Sequence, residues 1–415
     1  MRFTTTGLIV TALMGSVFTP GLAMSADAIK IGLLATFEGP FTVLGQDGQR
    51  GAELAAKKFG NAIDGHAIEW VIGSSDASPD SALAAVRKLV EQDGVKVVVG
   101  PLSGDEGMAV KDYARSHPDV TFINGTSGAQ DFTLRDPVAN VFRFSTDGAQ
   151  WMAGLGSYIY DTKGYRSIAT VAEDYSFPYT QVFGLMAEFC GKGGHVVSKS
   201  WVPIGNKDYS SVIAAIPDNV DAVYVALGGA DAVNFLTQYS LSGGSAPLVG
   251  GSITVDQTVL STEGDLRMAV VGTPSAGPMA DANTTPEWLA FVADYKATFP
   301  DGFPAPSLFA QGYYINALAT FTALDQVDAD LSDGGAKFRE ALAGLTLDTP
   351  TGKVSLDANR NGIADIYITE AVADASGALS NKVVAVVPQV NQSLGMDPAA
   401  FLALGVVGRD NPSCP

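Results

Sequence analysis

One short stretch of the chain has the spacing of a metal-binding loop. In DANRNG the oxygen-bearing residues Asp357, Asn359 and Asn361 alternate along the chain. Gly362 follows at the turn position, so the spacing matches the opening of a calcium-binding EF-hand loop. The twelfth position of such a loop requires a bidentate glutamate, but here it is Ile368, and the flanks have the pattern of strands. We therefore predict a plain hairpin turn and no metal site.

No other group of side chains specifies a reaction. The three histidines, His66, His117 and His195, are scattered along the chain without the spacing of a metal site. The sequence contains no Gly-x-Ser-x-Gly or Walker motif, and no pairing that defines a nucleophile and its base. We therefore expect a protein that is not an enzyme and that needs no cofactor.

The chain has two cysteines, Cys190 and Cys414. A reactive thiol is disfavoured because neither cysteine has a histidine nearby in sequence. In an oxidising compartment the pair is sufficient for one disulfide, which would fasten the tail GRDNPSCP to the body of the protein. The sequence favours this second interpretation without excluding the first.

Charge excludes some classes of partner. The 25 basic and 44 acidic residues give a net charge of −19, and no basic run is present. Nucleic acids and anionic membrane surfaces are bound by clustered lysine and arginine, so neither is expected as a partner. With 47% apolar and 17% charged residues, the chain has the composition of a globular protein.

The first 26 residues have the features of an export signal. Arg2 supplies the positive charge, and GLIVTALMGSVF is an apolar run too short to span a bilayer. Pro20 and Gly21 then interrupt the run ahead of the small residues AMSA. We predict that residues 1–26 are a cleaved signal peptide. No later segment has the length and purity of a transmembrane helix, so the exported protein is expected to be soluble.

The elements alternate between strand and helix. AIKIGLLAT, HAIEWVIGSS, VKVVVGPLSG and DVTFINGTSGAQ contain strands, and each is followed by a segment with helical spacing. A second series of the same kind begins after VFRFSTDG, with one helix predicted for AQWMAGLGSYIYD. Near-continuous apolar strands between helices indicate parallel sheets that are covered on both faces. GKVSLDANRNGIADIYITEAV alternates apolar and polar residues and predicts a β-hairpin.

Ligands of open α/β sheets bind beyond the carboxyl ends of the strands. In this chain six loops follow strands in the two series: TFEGPFTVLG, GPLSGDEG, NGTSGAQ, EDYSFPY, ALGGAD and GGSITVD. Two similar α/β lobes without a catalytic set predict a clamshell, with these loops as the walls of a pocket.

The order and spacing of these motifs resemble the type I periplasmic binding proteins of the branched-chain amino acid ABC transporter family. The match runs from IKIGLLAT and LGQDGQRGAELA through VVVGPLSG and FINGTSGAQDFT to VSLDANRNG. Individually these motifs are loose, and their shared order over most of the chain carries the resemblance. Receptor domains and amide sensors share this fold.

The resemblance implies two lobes, each a mostly parallel sheet covered by helices, joined by three hinge crossovers. By position we place the crossovers near Thr146, Pro274 and Pro350. Lobe 1 is then expected to comprise residues 28–147 plus 275–349, and lobe 2 residues 148–274 plus 351–388. Residues 389–415 would form a C-terminal tail.

In this family lobe 1 holds the ligand's carboxylate through backbone N–H groups and hydroxyls. The matching positions in this chain are Ser103 and Gly104, and Thr126, Ser127 and Gly128. Both loops are expected to open helices, where unpaired N–H groups and the helix dipole favour an anion. The family has a hydroxyl where this chain has Gly104. Ordinary helix capping by the serines and threonine is the alternative.

The resemblance also implies an apolar wall. Lobe 2 of the family contributes an aromatic residue, and EDYSFPYT offers Tyr175 and Phe177, with Phe177 at the aligned position. Phe41 and Leu44, in TFEGPFTVLG, would face them from lobe 1. The alternative is that the aromatic residues only pack in the loop core.

One departure from the family concerns the ligand's amino group. Amino-acid-binding members neutralise it with an acidic residue, but the aligned position in this chain is Ser252, and a further aromatic position falls at Gly228. A buried ammonium without a carboxylate is costly. Asp231 or Asp256 could compensate if they reach the ligand. We therefore expect a small carboxylic acid with an apolar body, which includes hydrophobic amino acids and aromatic or aliphatic acids.

The resemblance implies a periplasmic solute-binding protein that delivers its ligand to a membrane permease driven by ATPase subunits. The alternative is a sensor domain of the same fold that signals to a partner.

Overall fold

The computed structural model describes residues 1, 27–262 and 269–414. The predicted signal peptide, apart from Met1, lies outside these residues.

The first α/β series has the following elements: β1 (Ile29–Thr36), α1 (Thr42–Lys58), β2 (Ala62–Ile63), β3 (His66–Ser75), α2 (Pro79–Arg87), β4 (Val97–Val99), α3 (Gly104–Ala114), β5 (Thr121–Ile123) and β6 (Val141–Phe142). The second series has these: α4 (Gly148–Trp151), α5 (Leu155–Asp161), β7 (Ser167–Glu173), α6 (Ser176–Phe189), β8 (His195–Val202), α7 (Ser210–Ala214), β9 (Ala222–Ala226), α8 (Gly229–Leu241), β10 (Leu248–Gly250), α9 (Gln257–Leu260) and β11 (Pro274–Gly277). The chain continues with α10 (Pro286–Thr298), α11 (Leu308–Gln326), α12 (Ala336–Gly344), β12 (Thr346–Thr349), β13 (Gly352–Leu356), β14 (Gly362–Ala373), β15 (Leu379–Val390) and α13 (Pro398–Ala403).

Lobe 1 is built on a six-stranded sheet in the order β2-β3-β1-β4-β5-β6, in which only β2 is antiparallel to its neighbour. Helices cover both faces, as the apolar strands predict. Val97 and Val99 of β4 join the core cluster that contains α1 and α11, whereas Val98 faces the cluster under α2 and α3. This alternation follows from the two-residue period of a strand.

Lobe 2 is built on a nine-stranded sheet. Its parallel part has the order β8-β7-β9-β10-β11, and β14 continues it as an antiparallel strand. The hairpin predicted for GKVSLDANRNGIADIYITEAV is present as the antiparallel pair β13 and β14, and β15 pairs with the other edge of β14. The prediction of an α/β fold with two lobes is therefore confirmed.

The chain passes between the sheets near the predicted crossovers. Thr146 lies between β6 and α4 and has a positive φ of 55°. The boundary predicted at Pro274 needs a correction, because Pro274–Gly277 is β11 and pairs with β10 and β14. The chain therefore leaves the second sheet only after Gly277. Likewise Thr346–Thr349 is β12 and pairs with β13 of the same sheet, although these residues were predicted for lobe 1. The remaining lobe boundaries stay predictions.

The single helix predicted for AQWMAGLGSYIYD is two helices, α4 and α5. Gly154 separates them in a left-handed conformation with φ of 82°. A Cβ at this position would lie 2.7 Å from Val387 Cγ2 and 2.8 Å from Ile368 Cδ1, so close packing on the sheet also requires glycine.

The EF-hand-like segment is a turn, as predicted. Asp357 Oδ1 accepts hydrogen bonds from the backbone N–H groups of Asn359 at 2.8 Å and Asn361 at 3.0 Å. Its carboxylate therefore stabilises the hairpin loop itself. Over residues 27–262 and 269–414, no cluster of three or more acidic, histidine or cysteine side chains could hold a metal ion.

A fully buried arginine lies at the first crossover. Arg143 Nη1 donates to the carbonyls of Ala129 at 2.6 Å and Ser127 at 3.3 Å, and its Nε donates to Asn361 Oδ1 at 2.7 Å. Its Nη2 lies 3.6 Å from Asp147 Oδ2. Burial lowers the pKa of Arg143 to about 10, and the nearby Asp147 opposes the shift. One side chain therefore joins the loop after β5, the first crossover and the turn before β14.

The C-terminal tail contacts both lobes. Arg135 of lobe 1 donates to the carbonyls of Leu402 at 3.0 Å and Gly405 at 2.7 Å. Farther along, Arg409 Nε donates to Asp174 Oδ1 of lobe 2 at 2.7 Å.

The tail ends in the predicted disulfide. Cys190 and Cys414 are bonded with their Cα atoms 5.6 Å apart. The chain is therefore closed covalently on lobe 2 at the end of α6. Within the described residues, no helix is long and apolar enough to cross a bilayer.

We predict that Arg143→Met lowers the free energy of unfolding by about 3–5 kcal/mol, because it leaves the buried Asp147 without its counter-charge. Urea unfolding would measure the loss. The matched control is Arg115→Met, since Arg115 is exposed and pairs only with surface residues Asp112 and Asp136. A loss no larger than that of the control would contradict the role assigned to Arg143.

We also predict that replacing both cysteines by serine lowers the free energy of unfolding by up to roughly 5 kcal/mol, because the bridge closes a long loop of the unfolded chain. Urea unfolding of the variant should match that of the wild type under reducing agent. An unchanged unfolding midpoint would show that the tail contributes no stability through its bond.

Candidate functional site

A cavity with an empty volume of about 290 Å³ lies between the two lobes. The part of it that the centre of a water-sized sphere can reach is only about 10 Å³, which is room for about one water molecule. Its lining contains seven of the residues predicted for the binding site: Phe41, Leu44, Ser103, Gly104, Thr126, Tyr175 and Phe177. The structure adds four residues that the sequence did not single out: Leu102, Trp151, Ile253 and Phe309.

The first turn of α3 lies at this cavity, with Ser103 and Gly104 in the lining. Ser103 caps the helix: its Oγ accepts from Glu106 N at 3.3 Å, and its own N–H donates to Glu106 Oε2 at 2.8 Å. The Ser103 hydroxyl also donates to Ala77 O at 3.0 Å. Ser103 therefore acts as a helix cap, which was the alternative to a binding role. The N–H groups of Gly104 and Asp105 are the first two of the helix and have no acceptor within it, so they are available to an anion.

The second predicted loop differs from the first. Thr126 donates its N–H to Pro101 O at 3.1 Å and its hydroxyl to Leu102 O at 3.4 Å. Only a short 3₁₀ turn follows, at Gln130–Phe132, so the prediction that both loops open helices is wrong for this loop.

Arg143 supplies the physical reason for the short turn, since its guanidinium binds carbonyls that a helix would use internally. Ser127 lies buried beside Gly107, and Gly128 packs against Phe177. Neither belongs to the residues that line the cavity.

Aromatic rings form the walls. Tyr175 and Phe177 lie at the start of α6, and the centroid of Phe177 lies 5.4 Å from that of Trp151 in an edge-to-face arrangement. Phe41 of lobe 1 lies 6.4 Å from Tyr175 of lobe 2. Rings from both lobes thus face the same space. The apolar part of a ligand would therefore be enclosed by aromatic rings from both lobes.

The position of Phe177 accounts for the presence of glycine at positions 104 and 128 of lobe 1. A Cβ built on Gly104 would lie 2.9 Å from Phe177 N and 2.4 Å from Ser176 Oγ, and one on Gly128 would lie 2.5 Å from Phe177 Cδ2. Only residues without a side chain leave room for α6 to approach α3 this closely. The family's hydroxyl at position 104 therefore has no space in this chain.

The lobes are in direct contact around the cavity. Ser176 N of lobe 2 donates to Asp105 Oδ1 of lobe 1 at 3.0 Å. On the other side, a Cβ on Gly229 would lie 3.1 Å from Pro40 O. The arrangement is that of a closed clamshell.

Two predicted residues, Gly228 and Ser252, lie behind the lobe 2 wall. Gly228 donates its N–H to Glu173 Oε1 at 3.0 Å and packs against Ile253. Ser252 Oγ accepts from Gln181 Nε2 at 2.7 Å and lines a neighbouring cavity with Asp256.

Asp231 and Asp256, the two acidic residues considered as partners of a ligand ammonium, accept hydrogen bonds from the backbone. Asp231 Oδ2 accepts from Gly205 N at 2.7 Å, and Asp256 accepts from Leu308 N at 2.8 Å and Thr258 N at 3.0 Å. Burial raises the pKa of each carboxyl to about 6. No acidic or basic side chain occurs among the described residues that line the cavity. Acidic groups nevertheless lie close behind the lining, because burial and the charges of Glu173, Asp105, Glu106 and Asp231 raise the pKa of the Tyr175 hydroxyl.

The missed residues lacked a clear sequence signal. Trp151 lies on α4 just after the first crossover, and Phe309 is near the start of α11, far in sequence from the strand-end loops. Leu102 and Ile253 lie inside two of those loops and could have been included as apolar neighbours of Ser103 and Ser252.

Comparisons with known proteins agree with the fold. The family profile described as periplasmic binding protein matches residues 28–377. The Leu/Ile/Val-binding protein homolog 6 of Brucella melitensis is 24% identical over 364 residues, which are 87% of this chain and 92% of that protein.

Two solved structures share the fold. An ABC transporter substrate-binding protein from Sphaerobacter thermophilus has a TM-score of 0.79 and 28% identity, covering 88% of this chain and 99% of its own. A solute-binding protein of an ABC transporter from R. palustris, in complex with benzoate, has a TM-score of 0.80 and 23% identity, covering 89% and 99%.

We predict that Gly104→Ser keeps the lobes apart, because the added side chain overlaps Ser176 and overpacking costs about 1–3 kcal/mol. Small-angle X-ray scattering should give the variant a larger radius of gyration than the control Gly344→Ser. Gly344 ends α12 with nothing within 4 Å of an added Cβ. Equal radii for the two variants would contradict the steric role of Gly104.

Proposed function

The chain belongs to the periplasmic binding protein family, in its type I branched-chain amino acid group, and from this premise we propose that it captures a small carboxylic acid between its lobes. It acts as the solute-binding component of an ABC transporter in the periplasm. It delivers the acid to a membrane permease driven by ATPase subunits.

One observation carries the proposal: the interlobe cavity has apolar walls and a helix N-terminus, with no charged side chain among the described residues of its lining. The N–H groups of Gly104 and Asp105, together with the dipole of α3, are the complement of a carboxylate. The rings of Phe41, Trp151 and Phe177 are the complement of its apolar body.

The described lining residues include no acidic side chain that could neutralise an amino group on the ligand. Serine stands at position 252, and the nearby carboxyls of Asp231 and Asp256 are bonded to backbone N–H groups. Neither of these two carboxyls is therefore free to neutralise a ligand ammonium, and burial of an ammonium without a partner is costly. We therefore propose an aromatic or aliphatic acid in preference to a zwitterion. The benzoate held by the R. palustris relative belongs to this chemical class.

Closure supplies the transport signal. A ligand shifts a two-state equilibrium only by its differential affinity for the two states. In this chain α3 belongs to lobe 1, whereas Tyr175 and Phe177 belong to lobe 2, so an acid contacts both groups only when the lobes meet. The crossovers beside Arg143 act as the hinge.

Calorimetric titration with four probes tests the proposal. Benzoate should bind at least about tenfold more tightly than benzamide, a difference of about 1.4 kcal/mol, because benzamide carries no charge for the helix dipole. Likewise 4-methylpentanoate should bind more tightly than leucine, which is the same acid with an ammonium group. Recovery of unchanged ligand after binding would support a receptor, and turnover would favour an enzyme.

The control variant is Ser252→Glu, which restores an acidic group at the aligned position and should shift preference toward leucine. If the wild-type protein already prefers leucine to 4-methylpentanoate, the proposed ligand class is wrong. If benzamide binds as well as benzoate, the role of α3 is wrong.

A further inference from the structure

Within the described residues, the N-terminus of α6 is not capped by the side chain that precedes it. The helix begins at Ser176, and the preceding residue is Tyr175. Serine, threonine, aspartate and asparagine are the usual caps, because their short side chains reach the first N–H groups. These N–H groups have no acceptor within the helix and carry the positive end of its dipole. The N-terminus of α6 is therefore open to an acceptor from elsewhere.

A carboxylate of lobe 1 lies at this helix end. Asp105 Oδ1 accepts the N–H of Ser176 at 3.0 Å, which joins the second residue of α3 to the first residue of α6. Glu106, the other acid in the first turn of α3, binds within lobe 1. Its Oε2 accepts from Ser103 N at 2.8 Å and from the Thr36 hydroxyl at 3.3 Å. Asp105 is therefore the acid of this turn that reaches lobe 2.

The contact between Asp105 and α6 depends on closure of the lobes. Gly104, the neighbour of Asp105, lines the cavity together with Tyr175, and a Cβ on Gly104 would lie 2.9 Å from Phe177 N. The two helix ends thus meet at the cavity, where opening of the lobes separates them. In the open form Asp105 keeps the favourable dipole of α3, its own helix, but loses that of α6. The hydrogen bond therefore stabilises the closed form relative to the open one.

We propose that the side chain of Asp105 is a latch, which holds the lobes closed by capping α6 from lobe 1 and so slows the release of the ligand. This inference rests on the proposed function, because release of the captured acid is the step that the latch controls. The bond is charge-assisted, which makes it stronger than one to a neutral acceptor. Asp105 is not among the described residues that line the cavity, so its carboxylate acts through the position of α6.

Stopped-flow tryptophan fluorescence of the full chain with benzoate tests the inference, with Trp151 in the cavity lining as the reporter. Asp105→Ala keeps the N–H of residue 105 and removes the carboxylate. We expect the dissociation rate to rise about three- to tenfold. The association rate should not fall, because the ligand enters the open form. Loss of a negative charge by itself would slow the release of an anion, so faster release reports the lost latch.

The donor of the hydrogen bond can be removed without a change of charge. Ser176→Pro deletes the N–H at the first position of the helix, where proline is well tolerated, and should also raise the dissociation rate. Ser176→Ala is the matched control. The buried Ser176 hydroxyl has no hydrogen-bond partner among the described residues, so its loss should leave the rate unchanged. With Asp105 already replaced by alanine, Ser176→Pro should add no further increase, as expected for partners in one bond.

Asp80→Ala controls for an effect on α3 itself. Asp80 is exposed and is likewise the second residue of its helix, α2. Both alanine variants remove an acid from the first turn of a lobe 1 helix, so both should lower the free energy of unfolding to a similar extent. The dissociation rate should rise in Asp105→Ala and stay at the wild-type value in Asp80→Ala.

An unchanged dissociation rate in Asp105→Ala would overturn the inference and leave the proposed function standing. An equal effect of Ser176→Pro with and without Asp105 would also overturn it, because that effect would be steric. If the wild type binds leucine but neither benzoate nor 4-methylpentanoate, the proposed ligand class fails. The same rates measured with leucine would then still decide whether Asp105 is a latch.

Discussion

The buried guanidinium of Arg143 is the constraint on which the hinge and the site both depend. It holds the carbonyls of Ser127 and Ala129, the amide of Asn361 and the carboxylate of Asp147 at one point. Since removing a charge from water is costly unless its partners are in place, this cluster tolerates little rearrangement. The loop after β5, the first crossover and the turn before β14 are thereby joined at one buried point.

The same constraint shapes the anion site. Because Arg143 binds carbonyls of the loop after β5, that loop forms no helix, and of the two loops predicted to hold a carboxylate only the one before α3 presents a helix N-terminus to the cavity. Glycine at position 104 then allows α6 to approach that helix end. Main-chain amides of lobe 1 and aromatic rings of lobe 2 are thus brought within one small cavity whose described lining has no charged side chain.

Much of this could be predicted from the sequence. The strand β3 and the hairpin of β13 and β14 follow directly from apolar periodicity, and seven predicted residues line the cavity because they lie in loops at the ends of strands. Trp151 and Phe309 could not be found in that way. They lie on helices that follow crossovers, and their place at the cavity depends on how the lobes meet.

The sequence by itself determined the two α/β lobes and the absence of an acid at position 252. It also made the pairing of two distant cysteines a reasonable expectation. These features depend on local pattern and residue type. Only the tertiary structure decided that Ser103 caps a helix, that β11 belongs to lobe 2, and that Phe177 requires Gly104 and Gly128. These facts depend on distances between segments far apart in the chain. Periodicity carries no information about such distances, since packing across an interface sets them.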